Sequence, residues 1–203
     1  MQRRVYAITV YRYPTPRSEA EEDLAELIQL AGAAGFAVVG SEVYQLRQMD
    51  THTGLGKGKL EKMREQFGAM RPGIDLIALD FEIKPYQIKN IEDYFNIEVS
   101  DRTRLILEIF KKRATSAEGK LQVELAEARY EIGRLVGGRG LELSRLGGGI
   151  GTKGPGETIM EKERRAYKRK IKTLSEKIER VKNNKFTKCL SLKDMDFANT
   201  PNI

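Results

Sequence analysis

Residues Ile74–Leu79 read IDLIAL, a short and nearly unbroken apolar run that ends at Asp80. Such a run is typical of a strand whose two faces are both covered, as happens in a parallel sheet flanked by helices. The dipeptide Pro72-Gly73 favours a turn directly before it. The run therefore predicts a strand that is covered on both faces, as in a layered α/β domain.

Strand-like and helix-like segments alternate on both sides of this run. Further strands are predicted at Arg4–Tyr11, Ala37–Leu46 and Ile97–Val99. Helices are predicted after Ser18, at Lys59–Met70, from about Pro85, and around Leu105, Ile106, Ile109 and Phe110. Ser18 and Glu21 have the spacing of a capping box. The order predicts an α/β domain in residues 1–115, with a small parallel sheet flanked by helices. It leaves the strand order open.

The second region, residues 116–182, has a heptad-like period. One apolar series is Leu121, Leu125, Ala128, Ile132 and Leu135, and the other is Tyr167, Ile171, Leu174, Ile178 and Val181. Two such helices predict a long antiparallel helical hairpin of coiled-coil type, joined by a Gly-rich loop at residues 137–157. Residues 183–203 show no clear period and are predicted to form a loose tail.

The charge distribution indicates a polyanionic partner. The chain of 203 residues has a formal net charge of +7. Residues Arg139–Lys182 contain 13 Lys/Arg and 6 Asp/Glu and so carry all of it, while the remainder sums to zero. With one cysteine and one histidine, an internal disulfide and a zinc site are improbable. The absence of a long apolar run and of a signal peptide predicts a cytoplasmic chain without a membrane span.

The Gly-rich loop is the strongest candidate for RNA contact. Ten of the 19 glycines lie between Gly133 and Gly156. Glycine lets backbone amides approach a ligand closely, and Arg and Lys add phosphate contacts. The predicted RNA-binding residues of this loop are Arg139, Ser144, Arg145, Gly147, Gly148, Gly149, Gly151, Thr152, Lys153 and Gly154. A simple connector remains the alternative.

A basic helix face continues this prediction. Between Lys162 and Lys172, seven Lys/Arg residues accompany a single acidic residue, Glu163. The residues predicted to bind phosphates are Lys162, Arg165, Lys168 and Arg169. The alternative is an ordinary solvated helix face.

A second loop, Thr53–Lys59, predicts a phosphate site on the α/β domain. Its glycines and lysines precede a helix, whose N-terminus can bind anions. The candidate nucleotide-binding residues are Gly54, Gly56, Lys57, Gly58 and Lys59, joined by Asp80 at the end of the apolar strand. A turn leading into a helix is the competing interpretation. The sequence contains no GxxxxGK[ST] motif, no catalytic residue is assigned, and the chain alone is not expected to hydrolyse GTP.

Four segments resemble motifs of the HflX family of GTP-binding proteins. They are Thr53–Leu60 (TGLGKGKL), Asp101–Leu107 (DRTRLIL), Glu118–Ala126 (EGKLQVELA) and Leu143–Thr158 (LSRLGGGIGTKGPGET). The resemblance covers roughly residues 4–182, with Leu55 and Lys153 as departures from the family pattern.

The resemblance implies binding to the large ribosomal subunit and its rRNA, with the hairpin loop directed towards the peptidyl-transferase centre. Ribosome splitting is the activity of bacterial members. GTP and Mg belong to the G domain of full-length members, and no cofactor is expected in this chain alone. The alternative function is an ATP-binding α/β module with weak NTPase activity, since the family's N-terminal region has been linked to ATP. We expect a monomer, although a hairpin that dimerises through its heptads is a third hypothesis.

Overall fold

The structure, a computed structural model, describes residues 2–70, 73–138 and 155–198. Strands and helices alternate first and two long helices follow. The order is β1 (Arg4–Tyr11), α1 (Arg17–Ala33), β2 (Ala37–Gln45), α2 (Lys57–Ala69), β3 (Leu76–Asp80), α3 (Pro85–Phe95), β4 (Glu98–Asp101), α4 (Arg102–Arg113), α5 (Ala117–Gly138) and α6 (Pro155–Ala198).

The four strands form one parallel sheet in the order β2-β1-β3-β4. The predicted small parallel sheet flanked by helices is confirmed. The apolar run lies in β3, next to β1, with both of its edges hydrogen-bonded to other strands. Because chain order reverses between β1 and β3, the carboxyl ends of these two strands form the switch point of the sheet, where α/β proteins tend to bind ligands.

Each face of the sheet has its own apolar core. Alternate strand residues such as Ile8 and Ile77 pack under α2 and α3, together with Met63 and Ile91. The intervening strand residues, such as Ala78, pack under α1 and α4. Along β1 and β3 the period of two therefore assigns the buried side chains to one of two separate helical layers, whereas β2 has a register shift opposite Val5 and Tyr6.

The helix starts agree with the sequence to within two residues. Pro85 occupies the first turn of α3, and the Asp101 carboxylate caps α4 by accepting the Arg104 N–H at 2.9 Å. The predicted capping box at Ser18 is wrong. The helix begins at Arg17, two residues earlier than a Ser18 N-cap implies, so that Ser18 lies inside the first turn and Pro16 is the N-cap. Proline has no side-chain acceptor, and its extended backbone alone sets the start of the helix.

Helices α5 and α6 pack together as the predicted hairpin. Every member of the two heptad-like series is buried or half-buried, with Ala128, Leu174 and Ile178 the most enclosed. The predicted loop boundaries are too wide, because Gly137 and Gly138 end α5, and α6 begins at Pro155. A proline at the first helical position is favourable because its φ is already helical.

The expected loose tail is also wrong over most of its length. Helix α6 continues through Asn183 to Ala198. The sequence from Asn183 to Ala198 contains no Gly or Pro to end a helix, and Pro201 is the next breaker. The absence of an apolar period therefore does not exclude a helix.

Candidate nucleic-acid interface

The basic face of α6, defined here by Lys162, Arg165, Lys168 and Arg169, points away from the hairpin seam. Tyr167, Ile171 and Leu174 are turned inwards. At 3.6 residues per turn, Lys162, Arg165 and Arg169 lie on the opposite side of the helix. All four side chains of the basic face are exposed. The structure therefore brings these predicted residues together on one surface.

An acidic residue that the sequence prediction left out reduces the charge of this surface. Glu161 accepts a hydrogen bond from Arg165 at 2.9 Å and lies 3.6 Å from Arg164. The Arg165 hydrogen bond lowers the pKa of Glu161. Such exposed pairs one turn apart are weak and break readily in favour of a phosphate. The surface still contains the exposed cations Lys162, Lys168 and Arg169.

The predicted loop residues from Arg139 to Gly154 lie outside the described residues. Their assignment to RNA stays a prediction. In the sequence they follow α5, which ends at Gly138, and precede α6, which starts at Pro155.

The hairpin is fastened to the α/β domain by contacts that sequence reasoning missed. Arg134 of α5 lies 3.3 Å from Glu92 of α3, and the same Glu92 oxygen accepts the Val99 N–H of β4 at 3.1 Å. Lys111 of α4 donates to Glu127 of α5 at 2.9 Å. The partners are 42 and 16 residues apart in the chain. No local pattern could therefore have paired them.

The second predicted site, Thr53–Lys59, is a compact turn whose polar groups are largely used internally. The Asp50 carboxylate accepts the backbone N–H groups of His52 and Thr53 at 2.9 and 2.8 Å. Gly54 donates to the Asp50 carbonyl at 3.0 Å, and Gly56 donates to the Thr53 hydroxyl at 3.3 Å. Burial works to raise the pKa of Asp50, but the hydrogen bonds from Thr53 and His52 to its carboxylate lower that pKa overall.

Two glycines of this turn have a backbone that other residues rarely adopt, with φ of 77° at Gly54 and 78° at Gly56. Side chains of α3 hold the turn in place. Gln87 donates to the Asp50 carbonyl at 2.9 Å, and Asn90 donates to the His52 carbonyl at 2.7 Å. The glycines thus have a structural reason to be present.

Lys57 and Lys59, the two lysines predicted to bind a nucleotide, have different surroundings. Lys57 is 86% exposed and lies 3.7 Å from Glu61. The Lys59 ammonium lies 4.9 Å from the centre of the Tyr44 ring. It borders a groove of about 480 Å³ beside the edge strand β2, which Arg17 and Lys62 also line.

A polar network forms the floor of this groove. The Glu42 carboxylate accepts from Tyr44 at 2.8 Å, from Gln66 at 3.0 Å and from Lys62 at 2.6 Å. Partial burial opposes ionisation of Glu42, but these donors lower its pKa. Burial and the Glu42 charge raise the pKa of Tyr6 to about 12. Sequence reasoning missed this network because α2 and β2 are brought together only by the fold.

Asp80 lies on the other face of the sheet and does not join the lysines. It follows Ala78 on the side covered by α1 and α4, whereas Lys57 and Lys59 belong to α2. Burial raises the pKa of Asp80, and Arg102, 3.2 Å away, opposes that rise. Arg102 also pairs with Glu26 of α1. The residues predicted to hold a nucleotide therefore do not form one phosphate cradle.

Within the described ranges, no group of three or more His, Cys, Asp or Glu side chains could hold a metal ion. None of the helices in the part of the chain that the structure describes is long and apolar enough to cross a membrane.

Comparison with known proteins matches most of the chain. A family model described as GTP-binding GTPase N-terminal matches residues 21–111, and one described as GTP-binding GTPase Middle Region matches residues 113–189. The GTPase HflX of Caldanaerobacter subterraneus is 46% identical over 167 residues, covering 82% of this chain and 38% of the relative. The GTPase HflX of Escherichia coli is 36% identical, covering 88% of this chain and 41% of the relative.

A solved structure shares the fold. The crystal structure of a complex of SsGBP with GDP aligns with a TM-score of 0.63 at 24% identity, over 92% of this chain and 46% of that one. This chain spans about two fifths of the length of the HflX relatives that it matches. From the two family models and these relatives, the chain belongs to the HflX family of GTP-binding proteins and corresponds to its N-terminal and middle regions.

Proposed function

We propose that this chain binds the large ribosomal subunit, with the hairpin contacting rRNA through the Gly-rich loop and the basic face of α6. The observation that carries the proposal is the outward position of Lys162, Lys168 and Arg169, opposite or beside a seam that is itself filled by apolar side chains. Cations held on a rigid helix can replace the counterions of a phosphate backbone, which favours binding at low salt.

The rest of the chain supports the same division of roles. Charged side chains on the α/β domain pair with partners distant in sequence, as Arg4 does with Asp75 and Arg102 with Asp80. Those ion pairs hold the fold together. Residues 139–182 contain the whole net charge. An rRNA partner is therefore expected at the hairpin, together with the cytoplasmic location and the role in ribosome splitting that the family resemblance implies.

Co-sedimentation with purified large subunits across a salt series tests this function. We expect Lys162→Gln/Lys168→Gln/Arg169→Gln to weaken binding and to reduce the slope of log affinity against log salt by roughly 0.7–0.9 for each phosphate that the variant no longer neutralises. Arg139→Ala/Arg145→Ala/Lys153→Ala tests the loop in the same way.

A matched control removes charge elsewhere on the surface. Lys89→Gln/Lys120→Gln changes two surface lysines of α3 and α5 and should leave the slope unchanged. Failure of the intact chain to sediment with large subunits at low salt would contradict the proposal. Equal loss of binding in the control and in the basic-face variant would mean that the chain binds the subunit through its net charge and not through the basic face.

ATP binding by the α/β domain is the second candidate, and the groove beside Lys59 favours it. Its volume suits a small ligand, and three cations line it, of which Arg17 and Lys62 pair with Glu21 and Glu42 in the same lining. The internal hydrogen bonds of Gly54 and Gly56 speak against a phosphate cradle in the turn. Calorimetric titration of the intact chain and of Lys59→Gln with ATP tests whether the groove binds this nucleotide. If the intact chain gives no heat of binding, ATP binding is ruled out as its function. We propose no GTP hydrolysis for these residues.

A further inference from the structure

The turn between β1 and α1 presents an aromatic ring to solvent. Tyr13 is 92% exposed, more than the other exposed large apolar residues of the described ranges, Phe110 at 55% and Val39 at 41%. A single exposed aromatic has little meaning alone, since protein surfaces contain many. Its surroundings decide whether the ring has a use.

Two arginines lie at the same carboxyl edge of the sheet as this ring. Arg12 precedes Tyr13 in the chain, and Arg47 follows the end of the neighbouring strand β2. The strand register pairs Tyr11 with Gln45, and the Leu46 N–H donates to the Tyr11 carbonyl at 2.9 Å. Both arginines therefore leave adjacent strand ends on the same edge. Both are exposed.

Several acidic groups at this edge are engaged elsewhere. Asp50 accepts hydrogen bonds within its own turn, Asp80 pairs with Arg102, and Glu21 pairs with Arg17. The exposed carboxylates of Glu19 and Glu22 lie in the first turns of α1, so the positive charge is confined to the turn itself. The Tyr13 turn combines an exposed ring with the exposed cations Arg12 and Arg47.

The turn is also held in shape before any partner arrives. The Thr15 N–H donates to the Arg12 carbonyl at 2.8 Å across Tyr13 and Pro14. Pro14 and Pro16 restrict the backbone on the far side of the ring. A turn whose backbone is already ordered loses less conformational freedom on binding than a mobile one.

We propose that the Tyr13 turn is a second RNA contact, in which the Tyr13 ring stacks on an unpaired base while Arg12 and Arg47 bind the adjacent phosphates. Aromatic rings next to cations are the usual means of holding single-stranded nucleotides, and every base offers a stacking face. The site prefers single-stranded over duplex RNA, since a paired base cannot leave its stack without cost. This inference rests on the proposed ribosomal function and places a contact on the α/β domain, away from the hairpin.

Binding of a fluorescently labelled, unstructured RNA oligonucleotide, with a duplex of equal charge as competitor, tests the contact. Tyr13→Ala should weaken single-strand binding by about tenfold, the effect expected from losing one stacked base. Tyr13→Phe retains the ring and should bind like the unchanged chain. Arg12→Gln/Arg47→Gln should lower the salt slope by about 1 to 2.

Phe110→Ala is the matched control. Phe110 is an exposed aromatic residue on α4, but its neighbour Lys111 is paired with Glu127, and Lys112 donates to the Ala34 carbonyl. This variant should bind RNA normally. Single-strand binding that Tyr13→Ala leaves unchanged, or that Tyr13→Phe loses as fully as Tyr13→Ala, overturns the inference.

The two proposals fail in different ways in large-subunit sedimentation. Loss of binding in the basic-face variant together with full binding by Tyr13→Ala retains the ribosomal function and removes the Tyr13 contact. Weaker sedimentation of Tyr13→Ala with unchanged binding to free RNA would mean that the turn meets a ribosomal protein, which also overturns the RNA contact. An intact chain that binds neither subunits nor oligonucleotide overturns both.

Discussion

The α/β domain and the hairpin are stabilised in different ways. The domain buries apolar side chains on both faces of its sheet, and most of its ion pairs join elements far apart in the chain, as Arg4 and Asp75 do, although Arg17 and Glu21 lie one turn apart. The hairpin buries one seam, and its ion pairs, such as Arg165 with Glu161, join residues one turn apart on the same helix. The domain therefore forms the base, to which α5 is fastened through α3 and α4, while α6 leaves the side opposite the seam exposed at Lys162, Arg165 and Arg169.

The largest effect should come from the core of the sheet. Ile77 is fully buried in β3, and Ile77→Ala should lower the free energy of unfolding of the α/β domain by about 3 kcal/mol through reduced burial and a residual cavity. Leu174→Ala in the hairpin seam should cost about 2 kcal/mol, because a two-helix contact can close around the gap. Urea unfolding followed by circular dichroism measures both. Equal destabilisation in one shared transition would show that the two regions unfold as a unit.

A smaller effect tests whether the Thr53–Lys59 turn is structural. Gly54→Ala should destabilise the α/β domain by about 1–2 kcal/mol, since φ is 77° and a Cβ there would lie 3.3 Å from the Phe81 ring. Gly58 is the matched control, because it lies in α2 and a Cβ there meets no described atom within 4 Å. Gly58→Ala should be neutral or stabilising by a few tenths of a kcal/mol. Thermal unfolding distinguishes them, and equal stability of the two variants would contradict a structural role.

The junction between the two regions should contribute about 1 kcal/mol. Arg134 and Glu92 are both largely enclosed, and breaking their contact should loosen α5 from α3 without unfolding the sheet. Hydrogen exchange of the α5 amides in Arg134→Ala and Glu92→Gln, with the double variant to complete the cycle, measures the coupling. Faster exchange throughout the sheet would refute the idea of a local fastening.

The smallest effect concerns acid stability. Hydrogen bonds from Arg4 lower the pKa of Asp75 from its ordinary value of 3.8 to about 2. Because the folded-state pKa is the lower one, this carboxylate stabilises the fold above about pH 4, and its contribution disappears as pH falls towards 2. Asp75→Asn should therefore differ from the unchanged chain at pH 5 and converge with it near pH 2. Urea midpoints at several pH values provide the comparison.

A local pair in the hairpin provides the control for that titration. Arg165 lowers the pKa of Glu161 in the same direction, but the two residues lie on one exposed helix. Glu161→Gln should affect the stability of α6 alone. A decrease in the stability of the whole chain with Glu161→Gln would contradict the view that ion pairs within the hairpin act only locally.

The two candidate sites differ in how far the sequence could predict them, because one depends on local spacing and the other on contacts between distant segments. The basic face followed from the helical period, since the spacing of Tyr167, Ile171 and Leu174 indicates which side of α6 is turned inwards. The nucleotide set grouped Asp80 with Lys59, and the structure puts them on opposite faces of the sheet. Chain order indicates that a residue follows a strand but not which helical layer its neighbours occupy.

Periods and composition within short windows were enough to predict the parallel sheet, the hairpin, the seam residues and the location of the charge. Only the folded chain shows the strand order, the separation of Asp80 from the lysines and the Arg134–Glu92 junction. It also shows that Arg12 and Arg47 follow adjacent strand ends. Those features involve residues tens of positions apart in the sequence. Such residues come together only when the strands pair and the helices pack on the sheet.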